Sequence, residues 1–302
     1  MTIEHKIIAW GGWQQCVHIT NGIVKLIVPL EIGIRVMHYG FVGGANQFCE
    51  LPDQMGKTNS AEWVSYGGHR LWHAPETRER TYSLDNFPIH FERHGDTFTF
   101  TQPTDHADMR KQIEITLSAD SSEVRVLHRI TNQGVWAVEA SVWALSVMAN
   151  GGKAIIPLPP RGNHETDLLP NTRLTLWSYT NMADPRWTWG EKYILLQQDA
   201  EAMIPQKIGL ANPLGWAAHW NDGTLFASKT TYQPNATYPD HGCSNEFFTN
   251  FAILEVESLA PLVTLQPNES ATHLETWQLW DGVPEPKNDG DVEAFVRGKV
   301  EG

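Results

Sequence analysis

The feature that most constrains the fold of this chain is an apolar alternation with a period of two. In the segment 23–40, IVKLIVPLEIGIRVMHYG, every even position over 24–36 is apolar, whereas Lys25, Glu31 and Arg35 lie at odd positions. Successive side chains of a strand point to opposite faces, so this pattern predicts a long half-buried strand or a strand pair. The chain is therefore expected to build its core from sheets.

The same alternation returns in three consecutive segments, 96–103, 110–120 and 122–132, which predict a meander of neighbouring strands. Short helices are expected at 53–63 and in the tail at 291–300. Further apolar segments, separated by turns rich in Gly, Pro and Asn, lie at 138–148, 192–200, 224–232, 248–258 and 272–280. The predicted fold class is all-β, an antiparallel sandwich or barrel with few short helices.

The 302 residues contain no repeat and no convincing linker, so we expect a single domain over 1–302. The segment 281–291, DGVPEPKNDGD, is rich in Pro, Gly and Asp and predicts the end of the folded body. We therefore place a sandwich body at about 15–280 and a short C-terminal tail at 281–302.

Composition argues against several classes of partner. The formal net charge is -13 and no basic run occurs, so nucleic acid and anionic membrane surfaces are not expected partners. The first residues, MTIEHKIIAWGGWQQ, lack the features of a secretory signal, and no segment approaches the roughly 18 apolar residues of a membrane helix. Cys16, Cys49 and Cys243 are few and far apart, which is typical of a reduced protein. We expect a soluble, cytoplasmic protein.

Two glutamates near the C-terminus form a candidate acid–base site. If 251–259 is a strand, Glu255 and Glu257 share a face and stand about 7 Å apart, from a rise of roughly 3.3 Å per residue. Their mutual repulsion raises the pKa of at least one carboxyl, as a general base or acid near neutral pH requires. A solvent-facing pair on an edge strand is the alternative, but apolar neighbours on the same face favour partial burial and a functional site.

The residues that follow Glu255 resemble the last strands of the galactose mutarotase-like superfamily, which contains aldose 1-epimerases and hexose-6-phosphate epimerases. In those enzymes the strand with the catalytic glutamate precedes a TL-x-PG turn and a final strand. Here TLQPN at 264–268 and THLETWQLW at 272–280 follow, with Asn268 in place of the turn glycine. Without gaps, the catalytic glutamate of the family falls on Glu255; by residue pattern alone, Glu257 remains open as the base.

Two further segments resemble an uncharacterised branch of that superfamily, DUF4380. They are YGGHRLWHAPE at 66–76 and YPDHGCSNEFFTN at 238–250, and the whole resemblance extends over about 15–280. It implies a β-supersandwich, in which large antiparallel sheets hold a sugar in the open cleft of one sheet. It also implies that a glutamate takes a proton from the anomeric hydroxyl while a histidine protonates the ring oxygen.

This chain differs from the family at the position of the histidine that serves as the general acid. The strand that carries the histidine in the epimerases corresponds to 139–148, which has Trp143 and no histidine. His69 is the first candidate for the role, because its segment replaces the sugar-binding loops of the epimerases and Arg70 beside it can hold two hydroxyls. The second candidate is His241, which lies fourteen residues before Glu255.

Two metal-site interpretations are alternatives to this one. His69, His73 and Glu76 have a helical ligand spacing, but a tryptophan within the segment and a proline after it make a helix doubtful. His90 and His94 share a strand face with Glu92, where successive ligands lie about 7 Å apart, too far for one ion. No nucleophile elbow or phosphate-binding glycine motif occurs either. We therefore expect no metal ion and no cofactor.

The resemblance thus implies a carbohydrate-active protein whose partner is a small sugar or sugar derivative. The first hypothesis is an aldose 1-epimerase-like enzyme with Glu255 as base and His69 as acid. The second is a non-catalytic carbohydrate-binding protein that uses the same cleft. In both, the predicted substrate contacts are Arg70, Trp72, Trp143, Lys207, His241, Glu246 and Glu257.

Overall fold

The computed structural model describes residues 2–302, and most of its regular structure is strand. The strands, in chain order, are β1 (Glu4–Trp10), β2 (Trp13–Thr20), β3 (Val24–Pro29), β4 (Arg35–Val36), β5 (His38–Phe41), β6 (His69–Ala74), β7 (His90–His94), β8 (Thr97–Thr101), β9 (Met109–Leu117), β10 (Val124–Asn132), β11 (Val138–Met148), β12 (Lys153–Pro157), β13 (Leu174–Leu176), β14 (Trp187–Trp189), β15 (Tyr193–Gln197), β16 (Gln206–Leu210), β17 (Trp216–Asn221), β18 (Thr224–Lys229), β19 (Asn245–Thr249), β20 (Leu254–Leu259), β21 (Val263–Leu265) and β22 (Ser270–Trp280).

The helices are short. They are α1 (Arg78–Thr81), α2 (Pro239–Gly242), α3 (Asp289–Val292) and α4 (Gly298–Val300), with a π-helical turn at Glu293–Arg297 between the last two. No helix within residues 2–302 has the length and apolar character needed to span a membrane.

The strands form two large sheets and one small sheet. The ten-stranded sheet has the order β14-β15-β12-β17-β18-β22-β10-β9-β8-β7, and the eight-stranded sheet has the order β13-β16-β19-β20-β11-β6-β4 with β21 paired to β11. Strands β1, β2, β3 and β5 make the small sheet. The two large sheets share one apolar core, to which β9 and β10 of one and β11 and β20 of the other contribute. The predicted all-β sandwich of large antiparallel sheets is confirmed.

The alternation in the sequence corresponds to the alternation of burial. In β9, for example, Ile113, Ile115 and Leu117 are buried, while the residues between them are partly exposed. Strands β8, β9 and β10 pair in sequence order, as the predicted meander requires. Apolar side chains every second residue are removed from water on one face, which stabilises the sheet by about 25 cal/mol per Å² of buried apolar surface.

The segment 23–40 departs from the predicted strand or strand pair. It forms three strands, because the chain leaves the small sheet after β3, enters the eight-stranded sheet at β4 and returns at β5. Gly33 lies in the intervening bend, where a Cβ would overlap the backbone of Asp85. The buried ion pair between Arg35 and Asp85, at 2.8 Å, holds this crossing in place.

One of the two predicted helices is present. The tail is helical over 289–300, and Val292, Val296 and Val300 are buried at a spacing of four against the ten-stranded sheet. The expected helix at 53–63 is wrong, because that segment forms turns and irregular backbone. Gly56 has a φ of +72° there and packs against the backbone of Gly12, so the segment is shaped by close backbone contact.

Buried histidines make the stability of the fold sensitive to acid. His73 and His219 are fully buried without a hydrogen-bond partner at either ring nitrogen, and burial lowers the pKa of each to about 3. Their contribution to stability is present above pH 6.5 and is lost as the pH falls. The reason is that these histidines bind protons in the unfolded chain at a pH where they stay neutral in the folded chain. Each histidine is expected to lower the free energy of unfolding by about 1.4 kcal/mol when the pH falls from 7.5 to 5.5.

The double variant H73Q/H219Q should therefore lose about 3 kcal/mol less stability than the parent over this interval. Urea unfolding at both pH values measures the difference. The variant H90N/H94N, which removes two exposed histidines of β7, should keep the parental pH dependence. An unchanged pH dependence in H73Q/H219Q would contradict the prediction.

Candidate functional site

A cleft of about 260 Å³ lies on the face of the eight-stranded sheet that points away from the core. This is close to the lower end of the roughly 300–1,000 Å³ range of small-molecule sites, and it suits a ligand of monosaccharide size. The lining residues are aromatic and charged for the most part: Trp63, Ser65, Arg70, Trp72, Glu76, Tyr82, Trp143, Leu145, Tyr179, Lys207, Phe248, Ile253 and Glu255.

The alternation of β6 decides which residues reach the cleft. Arg70 and Trp72 line it, whereas His69 and His73 point to the opposite face, between the two large sheets. On the neighbouring β11, Trp143 lies directly opposite Trp72, and their ring centroids are 5.3 Å apart. The cleft wall is thus built from alternate residues of adjacent strands.

Glu255 on β20 is held by Arg70. The Arg70 Nη2 donates to Glu255 Oε1 at 2.8 Å, and the two side chains are 3% and 9% exposed. The guanidinium group stacks on two rings, 4.3 Å from the centroid of Trp72 and 5.4 Å from that of Trp63. A planar cation fixed on two aromatic faces leaves its ion-pair partner little freedom, so the Glu255 carboxylate is held at the edge of the cleft.

A second charged group lies beside this pair. Lys207 Nζ is 2.7 Å from Glu246 Oε2 and 3.4 Å from Glu257 Oε2, and the indole of Trp143 donates to Glu257 Oε2 at 2.8 Å. Strand pairing places Glu246 of β19 opposite Glu257 of β20. Two carboxyls thus share one ammonium group. Burial raises the pKa of both carboxyls, and the positive charge of Lys207 opposes that rise.

The ammonium itself stays charged. Burial lowers the pKa of Lys207, but Glu257 and Glu246 raise it by more, so the net pKa lies well above the ordinary value of a lysine. The Nζ atom also lies 4.9 Å and 4.6 Å from the ring centroids of Trp143 and Trp177. Lys207 therefore supplies a fixed positive charge at the cleft.

Tyrosines form the exposed rim. The Tyr82 hydroxyl donates to Glu76 Oε1 at 2.6 Å, and Tyr82 packs on Trp72 with centroids 5.0 Å apart. Tyr82 and Tyr179 are 36% and 39% exposed, whereas Trp72 is 4% exposed. The rings available for stacking on a ligand are therefore the rim tyrosines, and Trp72 supports Arg70 from below.

The structure brings together most of the residues singled out in the sequence. Arg70, Trp72, Trp143, Lys207 and Glu255 line the cleft. Glu246 and Glu257 do not line it but hold Lys207 and Trp143 from within the sheet. Of the two glutamates on one face of β20, Glu255 is thus the one that a ligand can reach.

The two histidine candidates lie elsewhere. His69 is fully buried, with Nδ1 2.9 Å from Ser146 Oγ and Nε2 2.7 Å from His128 Nε2. His241 is exposed at a φ of +63°, and its carbonyl accepts a hydrogen bond from Arg173. Within residues 2–302, no histidine lines the cleft. The expectation that His69 faces the sugar is corrected by the alternation of β6.

Trp63, Tyr82 and Tyr179 are aromatic lining residues that the sequence patterns do not single out. Each comes from a segment outside the large sheets, between β5 and β6, after α1 and after β13 respectively. No local pattern marks them, because loop residues reach a site only through the way the chain folds back. Glu76 stands at the end of the notable segment 66–76 and is the one rim residue with a sequence signal.

No known family model matches the sequence. No curated protein matches it either. Solved structures do match, including a galactose mutarotase-like protein from Lactobacillus casei, at a TM-score of 0.56 and 9% identity over 88% of this chain and 100% of that one. The fold is that of the galactose mutarotase-like proteins.

Two other solved structures match this chain. A Klebsiella pneumoniae protein assigned provisionally to the aldose 1-epimerases matches with a TM-score of 0.62 and 11% identity, over 99% of this chain and 86% of that one. A TPR-domain-containing protein from Parabacteroides distasonis matches with a TM-score of 0.57 and 12% identity over 90% of this chain. The chain spans 48% of the length of that last protein.

Proposed function

We propose that the chain binds a small sugar in this cleft and interconverts its anomers, as an aldose 1-epimerase-like isomerase with Glu255 as general base. The observation that carries the proposal is the Glu255 carboxylate, which lines the cleft and is oriented by Arg70 on two tryptophan rings. A base must stand within about 3 Å of the proton it takes, and a fixed carboxylate meets that requirement at low entropic cost.

Tyr179 is the proton donor that fits this reaction. Its side chain lines the cleft and forms no side-chain hydrogen bond with another residue of 2–302, so its hydroxyl is available to a bound sugar; burial raises its pKa to about 12, so the hydroxyl is protonated when the sugar binds. Glu255 would take the anomeric hydroxyl proton while Tyr179 gives its proton to the ring oxygen, so the C1–O5 bond breaks. Rotation about C1–C2 and the reverse transfers then close the ring as the other anomer.

The charges of the cleft favour an unphosphorylated sugar. Arg70 and Lys207 are its two cations, and both are already paired with carboxyl groups. Glu76 adds a further carboxylate at the rim. A phosphate would therefore meet no unpaired cation, and desolvating it would cost more than its contacts return.

A carbohydrate-binding protein without turnover is the second candidate. This candidate is favoured because no histidine of residues 2–302 lines the cleft, whereas the resemblance implies a histidine as the acid. Folds of this type carry different functions, so the choice depends on the site and not on the fold.

One experiment separates the two candidates. NMR exchange between anomers, together with calorimetric binding, should be measured for a panel of free hexoses, pentoses and hexose 6-phosphates. Faster exchange of a free sugar supports the isomerase, and binding without faster exchange supports the second candidate. If no sugar binds, both are wrong.

A further inference from the structure

A second polar cluster lies outside the cleft, between the two large sheets. His69 of β6 belongs to the eight-stranded sheet, whereas His128 of β10 and Glu275 of β22 belong to the ten-stranded sheet. One side-chain nitrogen or oxygen from each of the three lies within 4.8 Å of those of the others. All three residues are buried, at 0%, 0% and 2% exposure.

The side chain of Glu275 has only neutral hydrogen-bond partners. It is a carboxylate in the core, yet no lysine or arginine of residues 2–302 forms an ion pair with it. Its oxygens accept from two neutral donors, Ser258 Oγ at 2.5 Å and Trp277 Nε1 at 2.7 Å. Buried carboxylates are ordinarily paired with a cation or bound to a metal ion, so this one points to a positive partner.

The two imidazoles are held by outer partners. His128 Nδ1 lies 3.1 Å from the carbonyl oxygen of His273 and can only donate to it, which leaves a lone pair on Nε2 of the neutral ring. That Nε2 is 2.7 Å from His69 Nε2, while His69 Nδ1 lies 2.9 Å from Ser146 Oγ. Metal-binding histidines characteristically have such a partner on the second ring nitrogen.

We propose that His69 Nε2, His128 Nε2 and a carboxylate oxygen of Glu275 bind one divalent transition metal ion, of which zinc is the best match. Two imidazoles and one carboxylate suit zinc and disfavour magnesium and calcium, which prefer all-oxygen ligands. On binding, neutral His69 changes tautomer: its one ring proton leaves Nε2 for Nδ1, which then donates to Ser146, so both Nε2 lone pairs face the ion and the two imidazoles release no net proton. The proposal departs from the sequence-based expectation of no metal ion.

The role of this site is to join the two sheets. One ligand comes from the eight-stranded sheet and two come from the ten-stranded sheet, so a bound ion would act as a clip across the core. His69 and Arg70 are consecutive residues of β6. The strand therefore presents a proposed metal ligand on one face and the ion-pair partner of Glu255 on the other. The proposal stands independently of the sugar chemistry.

The test uses the full chain, refolded with zinc chloride and then dialysed extensively, with elemental analysis of the retained metal. We expect about one zinc ion per chain, and a thermal midpoint about 5 °C higher with zinc at roughly 100 times its Kd than after chelation. Refolding is needed because the ligands are buried. A parent chain that retains no zinc after this treatment overturns the proposal.

Variants separate this site from the surface. His90, Glu92 and His94 lie together on exposed β7, so H90N/H94N is the control and should retain the zinc. H128Q/E275Q should lose it. Loss of zinc in H90N/H94N would assign the ion to the surface and overturn the proposal.

If H128Q/E275Q does not fold, the visible absorption spectrum of bound cobalt still tests the site. Cobalt-loaded H90N/H94N should show the visible absorption of a four-coordinate cobalt ion whose ligands are the two imidazoles, the Glu275 carboxylate and one water molecule. A spectrum of hexahydrated cobalt alone would overturn the proposal.

Discussion

Glu255→Gln should lower the rate of anomer exchange by about 10²- to 10⁴-fold, which is the usual contribution of a positioned general base. The amide keeps the size of the side chain, and its oxygen can still accept from Arg70 Nη2, so the wall of the cleft should remain in place. Sugar binding should change much less than turnover. NMR exchange on the sugar identified in the panel, with calorimetry on the same variant, measures both quantities.

Two further variants make this result specific. Glu79→Gln removes an exposed carboxylate of α1 that does not line the cleft, and it should leave exchange at the parental rate. Glu257→Gln should act on stability more than on exchange, because Glu257 holds Lys207 and Trp143 within the sheet. Parental exchange in Glu255→Gln would exclude Glu255 as the base.

Lys207→Met should destabilise the fold by about 3–5 kcal/mol, which is the cost of removing one partner from a buried ion pair. Glu246 and Glu257 are 0% and 1% exposed and would lose their cation. The folded pKa of each carboxyl already lies above its ordinary value, so its contribution to stability falls as the pH rises above about 4.5. Without Lys207 these pKa values rise further, and the deficit should be larger at pH 8 than at pH 5.

Urea unfolding of the parent and of Lys207→Met at both pH values measures this effect. Lys192→Met is the matched control, since Lys192 is 56% exposed and its ion pair with Glu293 is a surface pair worth about 0–1 kcal/mol. The double variant K207M/E246Q should recover part of the lost stability, because one of the two carboxyls is neutralised. Equal deficits at pH 5 and pH 8 would show that the loss comes from packing and not from charge.

The sequence can predict that the side chains of His69 and Arg70 lie on opposite faces of β6. Once 69–74 is a strand, His69 and Arg70 must point to opposite faces, so both cannot meet one ligand. The two glycines at 67 and 68 favour a turn, and a turn imposes no alternation on the side chains that follow it. Both glycines have a positive φ, of +90° and +67°, and the turn they form ends where β6 begins.

By itself, the sequence determined the all-β class, the faces of the meander strands and the shared face of Glu255 and Glu257. These follow from local periodicity, since side chains alternate along any strand whatever its neighbours are. Which strands pair, and thereby which distant side chains meet, follows from the packing of the whole chain. The contacts of Arg70 with Glu255, of Lys207 with Glu246, and of His69 with His128 each depend on pairing, register or sheet packing between remote segments. Register and packing are set by the whole core, and for that reason no local pattern contained these contacts.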